Sequence, residues 1–233
     1  MRKGLLRLSA FRAITLVVTL GLSLSACGTS WQEEVLLHDG SKIIVERTVE
    51  RGGRHEIGQQ PPYEEQSLSF TMPGSKQPII WEDHYSKDLG MANFLPMVLD
   101  INGGVAYLVA SPMGCLSYNK WGRPNPPYVV FKYQGKEWKR IPLQELPSEI
   151  KSTNLIFSMP DFKVEQSGKR FMTAEMIQAI IADYKQPEYR TILREAYPGA
   201  AGSCAPMVHY KCGWTGVNSD GTFNKEFMDR MCR

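Results

Sequence analysis

Apolar and polar positions along the chain predict strands first and helices last. EEVLLHDGSKIIVERTVER, residues 33–51, sets two strand-like runs around Asp39-Gly40. That dipeptide between apolar runs is the strongest short hairpin signal, because tight hairpin turns need residues that accept positive φ. Residues 51–66, RGGRHEIGQQPPYEEQ, carry glycines, prolines and charges without periodicity and read as a loop. SLSFTM (67–72) and PIIWED (78–83) are short strands split by Pro73-Gly74. LPMVLDI (95–101) and VAYLVAS (105–111) flank Asn102-Gly103-Gly104 as a second hairpin, apolar enough to be covered on both faces. YVVFKYQ (128–134) and EWKRIPL (137–143) turn at Gly135-Lys136 into a third, with one face wet. Hairpins in succession predict an antiparallel meander or a sandwich-like sheet.

The period then changes. Met176, Ile177, Ile180, Ile181 and Tyr184 recur at helical spacing, with Thr173 as N-cap. Pro187 interrupts this run, and Glu188 to Ala196 predicts a further helix that Pro198-Gly199 stops. A last short helix over Lys225–Met231, with Phe223 and Phe227 four apart, carries Cys232 towards a disulfide partner. There is no internal repeat and no interdomain linker, so residues 33–233 read as one α+β domain with its helices towards the C-terminus.

The start of the chain is of another kind. Arg2, Lys3, Arg7 and Arg12 accompany an uncharged, largely apolar stretch, Ala13 to Leu24, which together make the n-region and h-region of a secretory signal. The stretch is shorter than the about 20 apolar residues a membrane span takes. It ends in Leu24-Ser25-Ala26-Cys27, which resembles the lipobox of bacterial lipoproteins. The resemblance implies a signal peptide over residues 1–26, cleavage before Cys27, diacylglycerol on the Cys27 sulfur and acylation of the new amino terminus. The chain would then be anchored to a membrane without crossing it, through a short tether over residues 27–32. Gly28 stands where family members retained at the inner membrane carry aspartate, which implies the outer membrane with the domain facing the periplasm. In overall pattern the chain resembles proteobacterial lipoproteins that have no assigned activity.

Removing the signal changes the electrostatics. The whole chain has 27 Lys and Arg against 24 Asp and Glu, and four of the basic residues lie in the signal, so the remainder is close to neutral. No Lys/Arg cluster suited to phosphates survives, which excludes nucleic acid as a partner. The hydrophobic content of 42% and charged content of 22% are those of a globular chain.

Cys115, Cys204, Cys212 and Cys232 in an exported chain predict two disulfides. Loop closure favours the short Cys204–Cys212 bridge, leaving Cys115 with Cys232, and sequential pairing of Cys115 with Cys204 and Cys212 with Cys232 is the rival. Cys204, His209 and Cys212 could also hold zinc, but no C-x-x-C or H-x-x-x-H element accompanies them and export favours oxidation. Hydrolase motifs such as Gly-x-Ser-x-Gly and His-Glu-x-x-His are missing, and nothing calls for a cofactor. Glu82-Asp83-His84 has the inventory for acid-base work, yet neighbours on a strand point to opposite faces, so the three do not converge. Asn218 to Thr222 reads as a turn rather than a calcium loop.

One stretch points to recognition. PMGCLSYNKWGRPNPP, residues 112–127, holds Tyr118, Trp121 and Arg123 around Cys115, and Trp214 follows Cys212 closely. Trp, Tyr and Arg dominate binding hot spots, and disulfides would preorganise such loops; large aromatics covering the bridges as satellite core is the competing reading. The expected function is therefore a non-enzymatic, membrane-anchored envelope lipoprotein that binds an envelope protein or glycan, with an exported hydrolase of envelope polymers as the alternative.

Overall fold

The Asp39-Gly40 turn produces the first hairpin, β1 (Thr29–Leu36) and β2 (Lys42–Arg51), in antiparallel register from Thr29 opposite Val49 to Leu36 opposite Lys42. The structure is a computed structural model that describes residues 28–199 and 204–233; Cys27 and the segment before it lie outside the described residues. β3 (Tyr63–Thr71) and β4 (Pro78–Asp83) continue this sheet outward from β2. The Asn102-Gly103-Gly104 turn starts the second sheet, in which β5 (Phe94–Asn102), β6 (Val105–Pro112), β7 (Val129–Gln134) and β8 (Glu137–Ile141) pair antiparallel in chain order. Between β6 and β7 lies α1 (Gly114–Lys120). After β8 come α2 (Pro160–Ser167), β9 (Phe171–Met172), α3 (Ala174–Ala182), the separate ribbon of β10 (Met207–Tyr210) and β11 (Gly213–Gly216), and α4 (Lys225–Met231). β9 lies parallel beside β1 and makes the first sheet five-stranded. The fold is α+β, with antiparallel sheets dominating and helices mostly towards the C-terminus, as the periodicity predicts.

The two sheets face one another. Val35, Val45, Leu68 and Trp81 on alternate positions of the first meet Leu99, Leu108 and Phe131 of the second. The opposite face of the second sheet, including Met97, Tyr107, Val109 and Val130, is covered by Leu146, Ile150, Phe157 and Ile192. β5 and β6 are thus buried on both faces, which is why their sequences are nearly unbroken apolar runs. A third cluster packs Val164 of α2 and Ile177 and Ile181 of α3 against Trp31 and Val49 at the other end of the β1–β2 hairpin. Inside it sits a buried ion pair. Glu33 Oε1 accepts from Arg47 Nη1 at 2.9 Å and from Trp31 Nε1 at 2.8 Å, while Oε2 accepts from the Ile156 amide at 3.1 Å.

Several elements differ from the sequence reading, each for a tertiary reason. β1 begins at Thr29, so residues 29–32, expected as tether, are strand, and the Gln32 amide donates to the Arg170 carbonyl on β9's approach. β3 begins at Tyr63, inside the expected loop, because its inward positions are polar: the Tyr63 hydroxyl donates to Asp161 Oδ1 at 2.5 Å and Gln66 Nε2 to Asp83 Oδ2 at 2.9 Å. Residues 188–196 form no further α-helix. Their backbone groups find partners elsewhere, with the Tyr128 hydroxyl donating to the Glu188 carbonyl at 2.9 Å and the Ile192 amide to the Lys151 carbonyl at 2.7 Å. α2 went unpredicted although Pro160 in its first turn and Gly168 at φ +66° just past its end are helix punctuation. Thr173 caps α3 as expected, accepting from the Met176 amide.

Candidate functional site

The disulfides close sequentially. Cys115 of α1 bridges Cys204 with Cα atoms 5.2 Å apart, and Cys212 bridges Cys232 at 5.5 Å, both within the span of an ordinary bridge. The pairing favoured by loop closure is wrong because β10 runs extended between Cys204 and Cys212. Four extended residues at about 3.3 Å each cover about 13 Å, against the roughly 7 Å limit between the Cα atoms of bridged cysteines. The zinc alternative falls with it, since Cys204 and Cys212 are committed to different bridges. α4, capped by Asn224 accepting from the Phe227 amide, delivers Cys232 to Cys212 as the sequence suggests.

Residues 114–120 are helical rather than loop-like, and this changes what the side chains of the stretch touch. Tyr118 is buried beneath the Arg123 guanidinium, whose carbon lies 5.1 Å from the ring centroid. Arg123 donates through Nη1 to Asn119 Oδ1 and the Ala205 carbonyl, and through Nη2 to the Cys204 carbonyl at 3.0 Å. Asn119, which sequence reasoning missed, completes the junction: Nδ2 donates to the carbonyls of Cys115 and Ala205, and Oδ1 accepts from the Met207 amide at 2.8 Å. Tyr118, Asn119 and Arg123 therefore fasten the segment that leads into β10. Trp121 packs half-buried on Phe94 at 4.6 Å, donates to Asn93 Oδ1 and lies under Arg140. Trp214, also half-buried, donates to the Asp88 carbonyl at 2.9 Å and meets the His209 ring edge-on. Lys120 reaches the same stretch, bonding Asp88 Oδ1 at 2.8 Å and the Ser86 hydroxyl.

What results is a small C-terminal unit, residues 204–233, of unusual build. Met228 is its one buried apolar side chain. Phe227 and Met231, one turn apart on α4, are 45% and 65% exposed. The Cys115–Cys204 bridge, the Arg123–Asn119 junction and the Trp214 bond hold the unit in place, and the Cys212–Cys232 bridge closes it internally. The turn expected at 218–222 forms, with Asp220 Oδ1 accepting from the amide and hydroxyl of Thr222.

The Glu82-Asp83-His84 stretch divides as strand geometry requires. Asp83 points inward and accepts from Gln66, from both nitrogens of Asn93 and from the Phe94 amide; burial nonetheless pushes its carboxyl above the usual range. His84 points outward, 2.6 Å from Glu65 Oε2 and 3.6 Å from Glu82 Oε2, and the bond to Glu65 raises its pKa. With Thr48, Glu50 and Ser67 these groups line a shallow cleft of about 210 Å³ on the open face of the first sheet. A carboxylate on either side favours the imidazolium over the neutral ring. No family model, curated protein or solved structure matches the chain.

Proposed function

We propose that the chain is an exported lipoprotein, anchored through an acylated Cys27 at the outer membrane, whose C-terminal unit serves as a binding surface for an envelope protein or glycan. The observation that carries the binding role is the build of residues 204–233: a segment with one buried apolar side chain adds almost nothing to the core, yet two bridges fix it and leave Phe227 and Met231 exposed. Preorganised aromatic and sulfur-bearing side chains are what recognition surfaces are built from. Trp121 and Trp214 stay half-buried, Trp214 within the unit, and Tyr118 and Arg123 fasten the segment that leads into it.

Export is supported by the cysteines. The four that follow Cys27 use one another, which leaves the lipobox cysteine outside the disulfide framework and available for a different role. Bridges of this kind persist in oxidising compartments. Hydrolysis is the weaker reading, because the cleft that gathers His84 with carboxylates lies open on a sheet face with the His84 side chain 68% exposed.

The test is binding to envelope components by the purified protein and two variants. Phe227→Ala and Trp214→Ala should each weaken capture of the partner by about thirtyfold, the loss that truncating a hot spot of about 2 kcal/mol produces. Unchanged capture by both variants, with folding intact, would remove the C-terminal unit from the binding role.

A further inference from the structure

We infer that the end of the first sheet from which the chain runs back to Cys27 rests on the bilayer, with Ile57 inserted among zwitterionic headgroups. This rests on the proposed acylation of Cys27. β1 begins at Thr29, only two residues after Cys27 in the sequence. Acyl chains buried in the membrane then leave no linker to lift this end of the sheet away from the headgroups.

What else occupies that end follows from the register. β1 starts there, β2 ends there and β3 begins there, with Thr29 opposite Val49 and Arg51 opposite Tyr63. The connection from β2 to β3, residues 52–62, is the longest between neighbouring antiparallel strands of the sheet. Its base is pinned: the Gly52 amide donates to the Pro62 carbonyl, and Arg51 donates to the Pro61 carbonyl while clamping Asp161 with two nitrogens. Its tip is a turn in which the Gln59 amide donates to the Glu56 carbonyl at 3.1 Å, and Gly58 supplies φ +86° at the third position. That turn places Ile57 at the corner. Its exposure, 106%, is far above that of any other large apolar residue described. An isoleucine at the tip of a fixed loop contributes nothing to folding, and beside a lipid anchor it is placed to enter the interface.

The rim of this end of the sheet is of mixed sign. Arg54, Lys169 and Arg170 are exposed, with Arg170 Nη1 bonded to the Ser30 carbonyl at 2.8 Å, and Glu56 and Glu165 stand among them. Such a rim matches headgroups that carry both a phosphate and an ammonium, in contrast to the clustered basic residues that read a strongly anionic surface. Insertion should therefore be insensitive to salt.

The experiment uses the processed, lipidated protein reconstituted into phosphatidylcholine vesicles. An environment-sensitive fluorophore is attached at Ile57→Cys or, as the opposite-end control, at Lys76→Cys in the turn between β3 and β4, about 30 Å away by strand rise. The label at 57 should emit to the blue and be quenched at least threefold more than the label at 76 by lipids carrying a quencher near the headgroup, equally at low and high salt. Equal quenching at the two positions in protein whose mass includes the acyl groups would overturn the orientation while leaving the anchor standing. Protein without acyl groups would overturn the anchor, and the orientation with it.

Discussion

The two sheets bury Val35, Leu68, Leu99 and Leu108 completely and contain no cysteine, whereas residues 204–233 hold three of the four bridged cysteines and bury only Met228. The difference is one of size. A double sheet has enough interior to be stabilised by apolar area removed from water, and a segment of some thirty residues does not, so its chain must be closed covalently. In the sheets, function is constrained by packing. In the C-terminal unit, side chains can stay exposed without loss of order.

The largest effect should come from the interior. Arg47→Met would leave Glu33 buried without its cation, which costs about 3–5 kcal/mol, while adding Glu33→Leu should recover most of the loss because an apolar pair of similar volume is tolerated there. Urea unfolding of the single and double variants measures both. A loss under about 1 kcal/mol for Arg47→Met would mean that the pair plays little part in holding the sheets to α2 and α3.

A smaller and more local effect is expected in the stapled unit. Removing the Cys212–Cys232 bridge, a closure spanning 20 positions, should cost about 3 kcal/mol, felt as a roughly hundredfold faster amide exchange in β10, β11 and α4. Amides of β5, β6 and β7 should exchange as before. If they accelerate in step, the two regions share one means of support and the contrast between them fails.

The smallest effect concerns the turn end of the sheets, where His38 Nδ1 lies 2.6 Å from Asp100 Oδ1. The bond raises the His38 pKa, and Asp100 still sits above its ordinary value because burial of its carboxyl outweighs that bond. A raised histidine contributes stability that is fully present below its unfolded pKa of about 6.5 and is lost as pH rises through the folded value. The advantage of the parent over His38→Gln, about 1 kcal/mol for one hydrogen bond to a buried carboxylate, should thus be greatest below about pH 6.5 and fade as pH rises above it. Thermal midpoints on both sides of that pH check the sign, and an advantage growing with pH would contradict it.

The hairpins around Asp39-Gly40 and Asn102-Gly103-Gly104 were legible because turn chemistry and apolar runs agree there, and the doubly buried β5 and β6 because their runs hardly alternate. α1 and the β10–β11 ribbon were not legible. They are short, and their order comes from the bridges and from Asn119, Arg123 and Trp214 rather than from local pattern. Arg47 left a trace: alternation along Val45, Arg47 and Val49 puts the guanidinium on the apolar face, although nothing nearby in sequence names Glu33 as its partner. The bridge pairing required the extended course of β10, which closure entropy ignores. The aromatic cluster was found by composition, but which faces are covered depends on Phe94, Asp88 and Arg140, far along the chain.

The central claim is that the five cysteines divide into one anchor and two bridges. Intact mass of the protein extracted from membranes and alkylated without reductant tests it most directly. The account expects a chain that begins at Cys27, carries the mass of its acyl groups and gains no alkyl group. A chain that retains residues 1–26, or one that takes up alkyl groups on Cys115, Cys204, Cys212 or Cys232, would contradict it.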